Sequence, residues 1–258
     1  MTEVDEAELL SVAVEAADAA AAELRPRFGR RQDRVRSKST PTDLVSDADV
    51  AAEAAIRSVL DRRRPGDSIL GEEGGATGNG ELRWIVDPLD GTINFLFGIP
   101  AFAVSVACED VSGPLAGVVL DPVREERFAA TRSGDATLNG APIAASGGAD
   151  LATAMVATGF GYAAEVRARQ AAVVARVLPR VRDIRRVGAA ALDLAWCACG
   201  RFDAYYERGV HRWDVSAGSL IASRAGLEVR ELAARGGDAW GIVVAAGGVI
   251  EELLELVE

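Results

Sequence analysis

The chain has 258 residues, with 28 Lys and Arg against 39 Asp and Glu and a formal net charge of −11. That balance excludes a nucleic-acid backbone or an anionic membrane surface as the main partner, because both attract basic stripes. Half the residues (49%) are apolar and only three are cysteine, which predicts one large domain or two intimate lobes folding without disulfides in a reducing, cytoplasmic setting.

The first residues, Met1-Thr2-Glu3-Val4-Asp5-Glu6, are acidic and do not form the positive region of a signal peptide. Residues 5–29, rich in Ala, Glu and Leu, read as one long amphipathic helix ending near Pro26-Arg27-Phe28-Gly29. A basic loop follows over 30–38. Residues 47–60 read as a second helix whose alanines suit close packing on the first. Ser68-Ile69-Leu70 is a short strand, residues 76–80 a mobile Gly-rich loop, and Trp84-Ile85-Val86 a buried strand ending at Asp87. Residues 101–108, 115–121 and 127–131 read as strands of one antiparallel or mixed sheet, with a hairpin turn at Asn139-Gly140. Gly147-Gly148 marks a hinge that divides an N-terminal lobe, 1–146, from a C-terminal lobe, 147–258. In the second lobe, strands are expected over 152–158, 183–187, 204–207 and 242–245. Helices are expected over 164–178, 190–198, 213–225 and 249–257. The longest uncharged apolar run, 240–250, is too short and Gly-rich to span a bilayer.

The single histidine, His211, argues against chemistry that needs two catalytic histidines, and no cysteine is followed six residues later by arginine. His211 reads as a structural polar residue near the start of a helix. Carboxylates remain, concentrated in three segments: Gly71-Glu72-Glu73-Gly74, residues 84–94 (WIVDPLDGTIN) and residues 213–218 (WDVSAG). Two carboxylates three residues apart, Asp87 and Asp90, converge around a turn fixed by Pro88 and repel unless a hard divalent cation joins them. The Gly91 and Thr92 amides open a helix and face an anion. Taken singly, each segment has an ordinary reading as a turn, a helix cap or a solvated loop. Together they place cation ligands beside an anion nest, which suits phosphate-ester chemistry. Asp47-Ala48-Asp49-Val50-Ala51 is a helix cap and not an aspartyl-phosphate motif, because no apolar strand precedes it.

These segments resemble the inositol monophosphatase family of Mg²⁺-dependent, Li⁺-sensitive phosphatases. Residues 84–94 and 213–218 look like its two signatures. Ala204-Tyr205-Tyr206-Glu207 and Arg186-Val187-Gly188 with Ala190-Ala191-Leu192 also match, so the resemblance runs over essentially the whole chain. Residues 158–162 and 182–194 are most similar to the actinobacterial inositol-1-monophosphatase branch. The resemblance implies a layered α-β-α-β-α sandwich of mixed α and β structure, and a homodimer. It implies two to three Mg²⁺ ions per site. Glu72, Asp87 and the Leu89 carbonyl hold the first ion; Asp87, Asp90 and Asp214 hold the second; Glu72 touches a weaker third. It gives Glu72, Thr92 and Asp49 catalytic roles, Thr92 and Glu72 orienting the attacking water and Asp49 pairing with Thr92. Gly91 and Thr92 bind phosphate, and Lys38 and Asp43 belong to a mobile loop. Gly188, Ala189, Ala190 and Glu207 form the substrate wall, and Ala189 stands where members usually carry Ser or Thr.

The activity so implied is hydrolysis of a small polyol or sugar phosphomonoester, first of all myo-inositol 1-phosphate. Fructose 1,6-bisphosphate, histidinol phosphate and a nucleotide 3′-phosphate are the alternative substrates. A regulatory protein-binding role is the alternative of another class, and it requires a protein partner because the chain is too acidic to hold RNA alone.

Overall fold

The computed structural model describes residues 4–30, 35–37, 44–147 and 150–258. Lys38, Asp43 and Gly148 lie outside them. The first helix, α1 (Glu6–Leu24), is capped by Asp5, whose carboxylate accepts the Ala7 and Glu8 amides at 3.0 Å each. It buries a small-residue face, including Ala13, Ala16, Ala17, Ala20 and Ala21. The helix stops at Leu24 and not at residue 29, because Pro26 cannot donate to the helical ladder and residues 25–29 form turns. The short pair β1 (Arg36–Ser37) and β2 (Leu44–Val45) precedes α2 (Asp47–Arg63). Ser46 and Asp49 form a capping box there: the Ala48 amide donates to Ser46 Oγ at 3.2 Å and the Ser46 amide to Asp49 Oδ2 at 2.8 Å.

An eight-stranded sheet follows. Its members are β3 (Ser68–Gly71), β4 (Gly75–Thr77), β5 (Arg83–Asp90), β6 (Ala103–Asp110), β7 (Gly113–Asp121), β8 (Glu126–Thr131), β9 (Thr137–Leu138) and β10 (Ala141–Pro142), with the short α3 (Thr92–Leu96) after β5. The spatial order is β10-β9-β8-β7-β6-β5-β3-β4, and only β3 and β5 run parallel. The Gly-rich stretch expected as a mobile loop is partly ordered, since residues 75–77 pair antiparallel with β3. Asn139 and Gly140 make the expected two-residue hairpin turn, with φ of 50° and 80°.

The five-stranded sheet uses β11 (Met155–Thr158), β12 (Asp183–Arg185), β13 (Ala204–Arg208), β14 (Glu228–Leu232) and β15 (Gly241–Ala245), in the order β12-β11-β13-β15-β14. A 3₁₀ turn over Leu151–Thr153 shortens the strand expected from residue 152, and β14 was not anticipated. Around this sheet lie α4 (Ala164–Val177), α5 (Ala190–Ala198), α6 (Arg212–Arg224) and α7 (Gly247–Val257).

The packing gives the layer order. Helices α1 and α2 cover one face of the large sheet, and α6 packs on its other face beside α5. Helix α5 in turn meets β11, β13 and β15, and α7 with α4 closes the far side of the small sheet. The result is the α-β-α-β-α sandwich. Trp84, Phe95 and Phe102 lie in the core between α1 and the large sheet, where Phe95 and Phe102 meet edge-on at 5.0 Å. No helix among the described residues is long and apolar enough to cross a membrane.

Candidate active site

The site begins at the ends of two parallel strands. Gly71 of β3 is paired with Val86 of β5, and the Glu72 amide donates to the Val86 carbonyl at 3.2 Å. Glu72 and Asp87 therefore leave adjacent strands side by side. The strand does not end at Asp87 as its sequence suggests. It continues to Asp90 across a bulge, with Asp87 opposite Ser105 and Asp90 opposite Ala103. Pro88, which has no N–H, occupies the break in the ladder, and the Leu89 amide donates to Asp87 Oδ1 at 2.9 Å. The extra residue re-aims both carboxylates into one cavity of about 460 Å³, which Glu72 and Asp214 also line.

Asp214 arrives from the opposite layer as the third residue of α6. Its Oδ2 accepts the His211 amide at 2.6 Å, while Ser105 Oγ donates to the Trp213 carbonyl at 3.0 Å and fastens the helix start to β6. His211 is the N-cap residue of α6 and stacks on Trp213 with centroids 4.7 Å apart, although it also lines the cavity.

Gly91 links β5 to α3 with φ of 92°, a left-handed conformation suited to glycine, and a Cβ there would lie 3.2 Å from the Ala189 side chain. Next to it the Thr92 hydroxyl lies 2.8 Å from Asp49 Oδ1 and 3.0 Å from the Leu89 carbonyl oxygen. Asp49 is fully buried and its other oxygen accepts from the Ser46 amide and hydroxyl, so its orientation is set from two sides.

Electrostatically the floor is strained. Burial, then Glu72, Asp90 and Asp214, push Asp87 well above the ordinary carboxylate range. Asp90 is pushed up to about 8, by burial first and by Asp214 next, against the Ala191 amide that donates to its Oδ2 at 2.6 Å. Asp214 is pushed up to about 7 by burial, with the His211 amide opposing and Glu72 and Glu207 adding to the rise. No ion pair to Asp87, Asp90 or Asp214 forms among the described residues. Nor do any three His, Cys, Asp or Glu side chains among them stand preassembled around a metal position. The donor set itself is all oxygen, and Asp87, Asp90 and Asp214 crowd like charge together, which fits a hard divalent ion.

The second wall comes from the start of α5 and the end of β13. Gly188, Ala189, Ala190 and Glu207 line the same cavity. Asn94 joins this wall to the floor, donating through Nδ2 to the Ala101 carbonyl at 2.7 Å and the Val187 carbonyl at 2.9 Å. Glu207 is pushed up to about 7 by burial, opposed by the Tyr205 hydroxyl, which donates to its Oε2 at 2.8 Å, and by Arg186.

The cavity also contains residues that the sequence reading did not place there: Phe160 and Gly161 after β11, Arg186 and Trp213. A Gly-Phe-Gly run directly after a strand is the signal that could have placed the first two. Arg186 carries no such signal, because its neighbour Arg185 is equally basic and only the chain path separates them.

The whole-chain arrangement has close counterparts. The family model described as the inositol monophosphatase family matches residues 5–257. The chain belongs to the inositol monophosphatase family. A relative from Mycobacterium bovis named inositol-1-monophosphatase is 45% identical over 239 residues, covering 88% of this chain and 82% of its own. A Pasteurella multocida protein named Nus factor SuhB is 35% identical over 257 residues, covering 97% and 96%. The crystal structure of extragenic suppressor protein suhB from Bartonella henselae superposes with a TM-score of 0.90 at 35% identity, covering 97% of this chain and 98% of that one. As a member of this family the chain is a phosphatase, and the family is in general metal-dependent.

Proposed function

We propose that the chain hydrolyses a small polyol or sugar phosphomonoester in a Mg²⁺-dependent reaction, with myo-inositol 1-phosphate as the leading substrate. The observation that carries this reading is the convergence of Glu72, Asp87, Asp90 and Asp214, from three separate segments, on one cavity that also holds Gly91 and Thr92. The name of the M. bovis relative supports the choice of substrate.

Glu72, Asp87 and the Leu89 carbonyl would hold one ion, and Asp87, Asp90 and Asp214 a second; a third, weaker ion would rest on Glu72. Bound there, Mg²⁺ supplies activation of the attacking water and charge compensation at the departing oxygen. The chain's own groups do the rest. Thr92 directs its hydroxyl proton to Asp49, which leaves an oxygen lone pair to accept a hydrogen from the attacking water. Glu72 accepts the other hydrogen of that water. The Gly91 and Thr92 amides bind the phosphoryl oxygens. Glu207, with Oε2 engaged by Tyr205, offers Oε1 to a polyol hydroxyl.

The working unit in this reading has two lobes, 1–146 and 147–258, sharing one site. It is a cytoplasmic, Li⁺-sensitive homodimer, and exposed Phe97 and Ile99, 74% and 48% accessible, support an apolar contact between copies. Phosphate release from inositol 1-phosphate, fructose 1,6-bisphosphate, histidinol phosphate and adenosine 3′,5′-bisphosphate, with and without Mg²⁺, tests it beside an Asp90→Asn control. Mg²⁺-dependent release absent from the variant is the expected result. No release from any ester at millimolar Mg²⁺ would sink the reading and favour the second one, a protein-binding regulatory role, which the Nus factor name of the P. multocida relative supports.

A further inference from the structure

We infer that one face of α2 sets the placement of Glu72 relative to Thr92, and that Glu53 and Arg57 are positioning residues for Glu72. The inference rests on the metal role proposed above for Glu72.

Glu72 opens the turn between β3 and β4, whose ends Gly71 and Gly75 are strand partners, and residues 74 and 75 are exposed. A carboxylate from another layer also grips the turn. The Glu73 amide donates to Glu53 Oε2 at 2.7 Å and the Gly74 amide to Glu53 Oε1 at 2.8 Å. Arg57 Nε donates to the same Oε1 at 2.7 Å. Its Nη2 reaches the Gly75 carbonyl at 2.8 Å and its Nη1 reaches Thr77 Oγ1 at 3.0 Å. The amides and a carbonyl just after Glu72 are thus tied to two side chains of one helix. Glu53 is only 3% exposed. A buried carboxylate is costly unless it is fully hydrogen-bonded, and three donors converge on this one.

The glycines show how close the clamp lies. A Cβ on Gly71 would fall 2.4 Å from Glu53 Oε1 and 2.9 Å from Arg57 Nη2; one on Gly74 would fall 2.6 Å and 2.7 Å from the same atoms. The residues on both sides of the Glu72-Glu73 pair therefore lie against the clamp, and a side chain at either would displace Glu53 or Arg57.

The helix adds the register. Asp49, Glu53 and Arg57 recur every four residues, on one face of α2, with successive rises of about 6 Å. Asp49 holds Thr92, and one turn further on Glu53 holds the turn of Glu72. The two groups assigned to the attacking water follow different strands, Glu72 after β3 and Thr92 after β5, yet both are fastened to one rigid helix. A rigid base of this kind keeps them in register better than the Gly-rich loop could alone.

The test reads metal binding directly. Mn²⁺ is titrated into wild type, Glu53→Gln, Arg57→Gln and Arg62→Gln and followed by electron paramagnetic resonance; the Mg²⁺ half-saturation of phosphate release and the KM for inositol 1-phosphate are measured beside it. Arg62→Gln removes a bond from the same helix to Glu15, away from the turn. Glu53→Gln should weaken Mn²⁺ binding roughly tenfold and raise the Mg²⁺ half-saturation in parallel, with little change in KM at saturating Mg²⁺. Arg57→Gln should move both in the same direction by less, and Arg62→Gln should move neither. A folded Glu53→Gln with wild-type Mn²⁺ affinity overturns the inference. If that variant does not fold, an unchanged affinity in Arg57→Gln overturns it equally. Wild type that binds no Mn²⁺ overturns the metal role of Glu72 itself, a pattern distinct from failure of the clamp alone.

Discussion

The floor and the far wall of the cavity are built on different principles. The floor takes Glu72, Asp87, Asp90 and Asp214 from strand ends and a helix start, and backbone hydrogen bonds at 2.6 to 2.9 Å hold three of them. It gathers like charge in a buried place, so its order depends on something that neutralises it. The wall around Gly188, Ala189 and Glu207 mixes one carboxylate with Arg186, Tyr205 and small residues, and Arg186 and Tyr205 both oppose the rise of Glu207. A floor of this kind suits chemistry common to many phosphate esters, whereas the wall suits the choice among them.

That contrast can be broken most directly at Asp90. Asp90→Asn should lower turnover on the order of 10²-fold while leaving the thermal midpoint near wild type, because the removed charge is one the metal-free fold does not want. A fully active Asp90→Asn enzyme would remove Asp90 from the floor. Thr92→Val should cost roughly 10²-fold or slightly less, since it deletes the hydroxyl that Asp49 orients, with KM for the ester almost unchanged. Steady-state kinetics at saturating Mg²⁺ separates these effects.

The pH dependence sharpens the same comparison. Asp90 at about 8 and Asp214 at about 7 lie above their unfolded values, so the folded state binds more protons than the unfolded one between about pH 4 and 8. Stability of the metal-free protein should therefore be greatest at the acid end of this window and fall as pH rises through 7 to 8. Thermal unfolding with EDTA at about pH 6 and pH 9 checks the sign. Mg²⁺ should reduce the difference, since it favours the ionised carboxylates, and an equal loss with Mg²⁺ present would argue against cation binding at the floor.

The wall should yield smaller numbers. Glu207→Gln should change the preference between inositol 1-phosphate and a simple aryl phosphate roughly tenfold, leaving the Mg²⁺ half-saturation unaltered. Ala189→Ser should alter KM for the polyol ester only about two- to threefold, because a hydroxyl added at the helix start supplies one modest hydrogen bond.

Much of this plan is legible in the residues, for identifiable reasons. The apolar strand Trp84-Ile85-Val86, the Asn139-Gly140 turn and the alanine face of α1 are local patterns, and local geometry honours them. Pro88 reads as a terminator of the strand at Asp87, yet the partner strand β6 carries the ladder past it to Asp90. Residues 75–77 read as loose because glycine has no preference of its own, and β3 supplies the order. The composition of the first helix stays helical up to Pro26, whereas α1 ends at Leu24, five residues before Gly29.

The linear sequence is thus sufficient for the resemblance to the family, and through it for the mixed layered fold, because the signatures are residue types at short, fixed spacings; it also concentrates Glu72, Asp87, Asp90 and Asp214 in three short segments, which the fold brings to one cavity. It says nothing of Glu53 holding the turn of Glu72, Ser105 fastening the start of α6, or Arg186 and Phe160 entering the cavity. Those relations join residues from 20 to more than 100 positions apart, such as Glu53 and Glu73 or Ser105 and Trp213. They exist only once parallel β3 and β5, the bulge at Pro88 and the packing of α2 and α6 on opposite faces of one sheet have brought the partners within hydrogen-bonding distance.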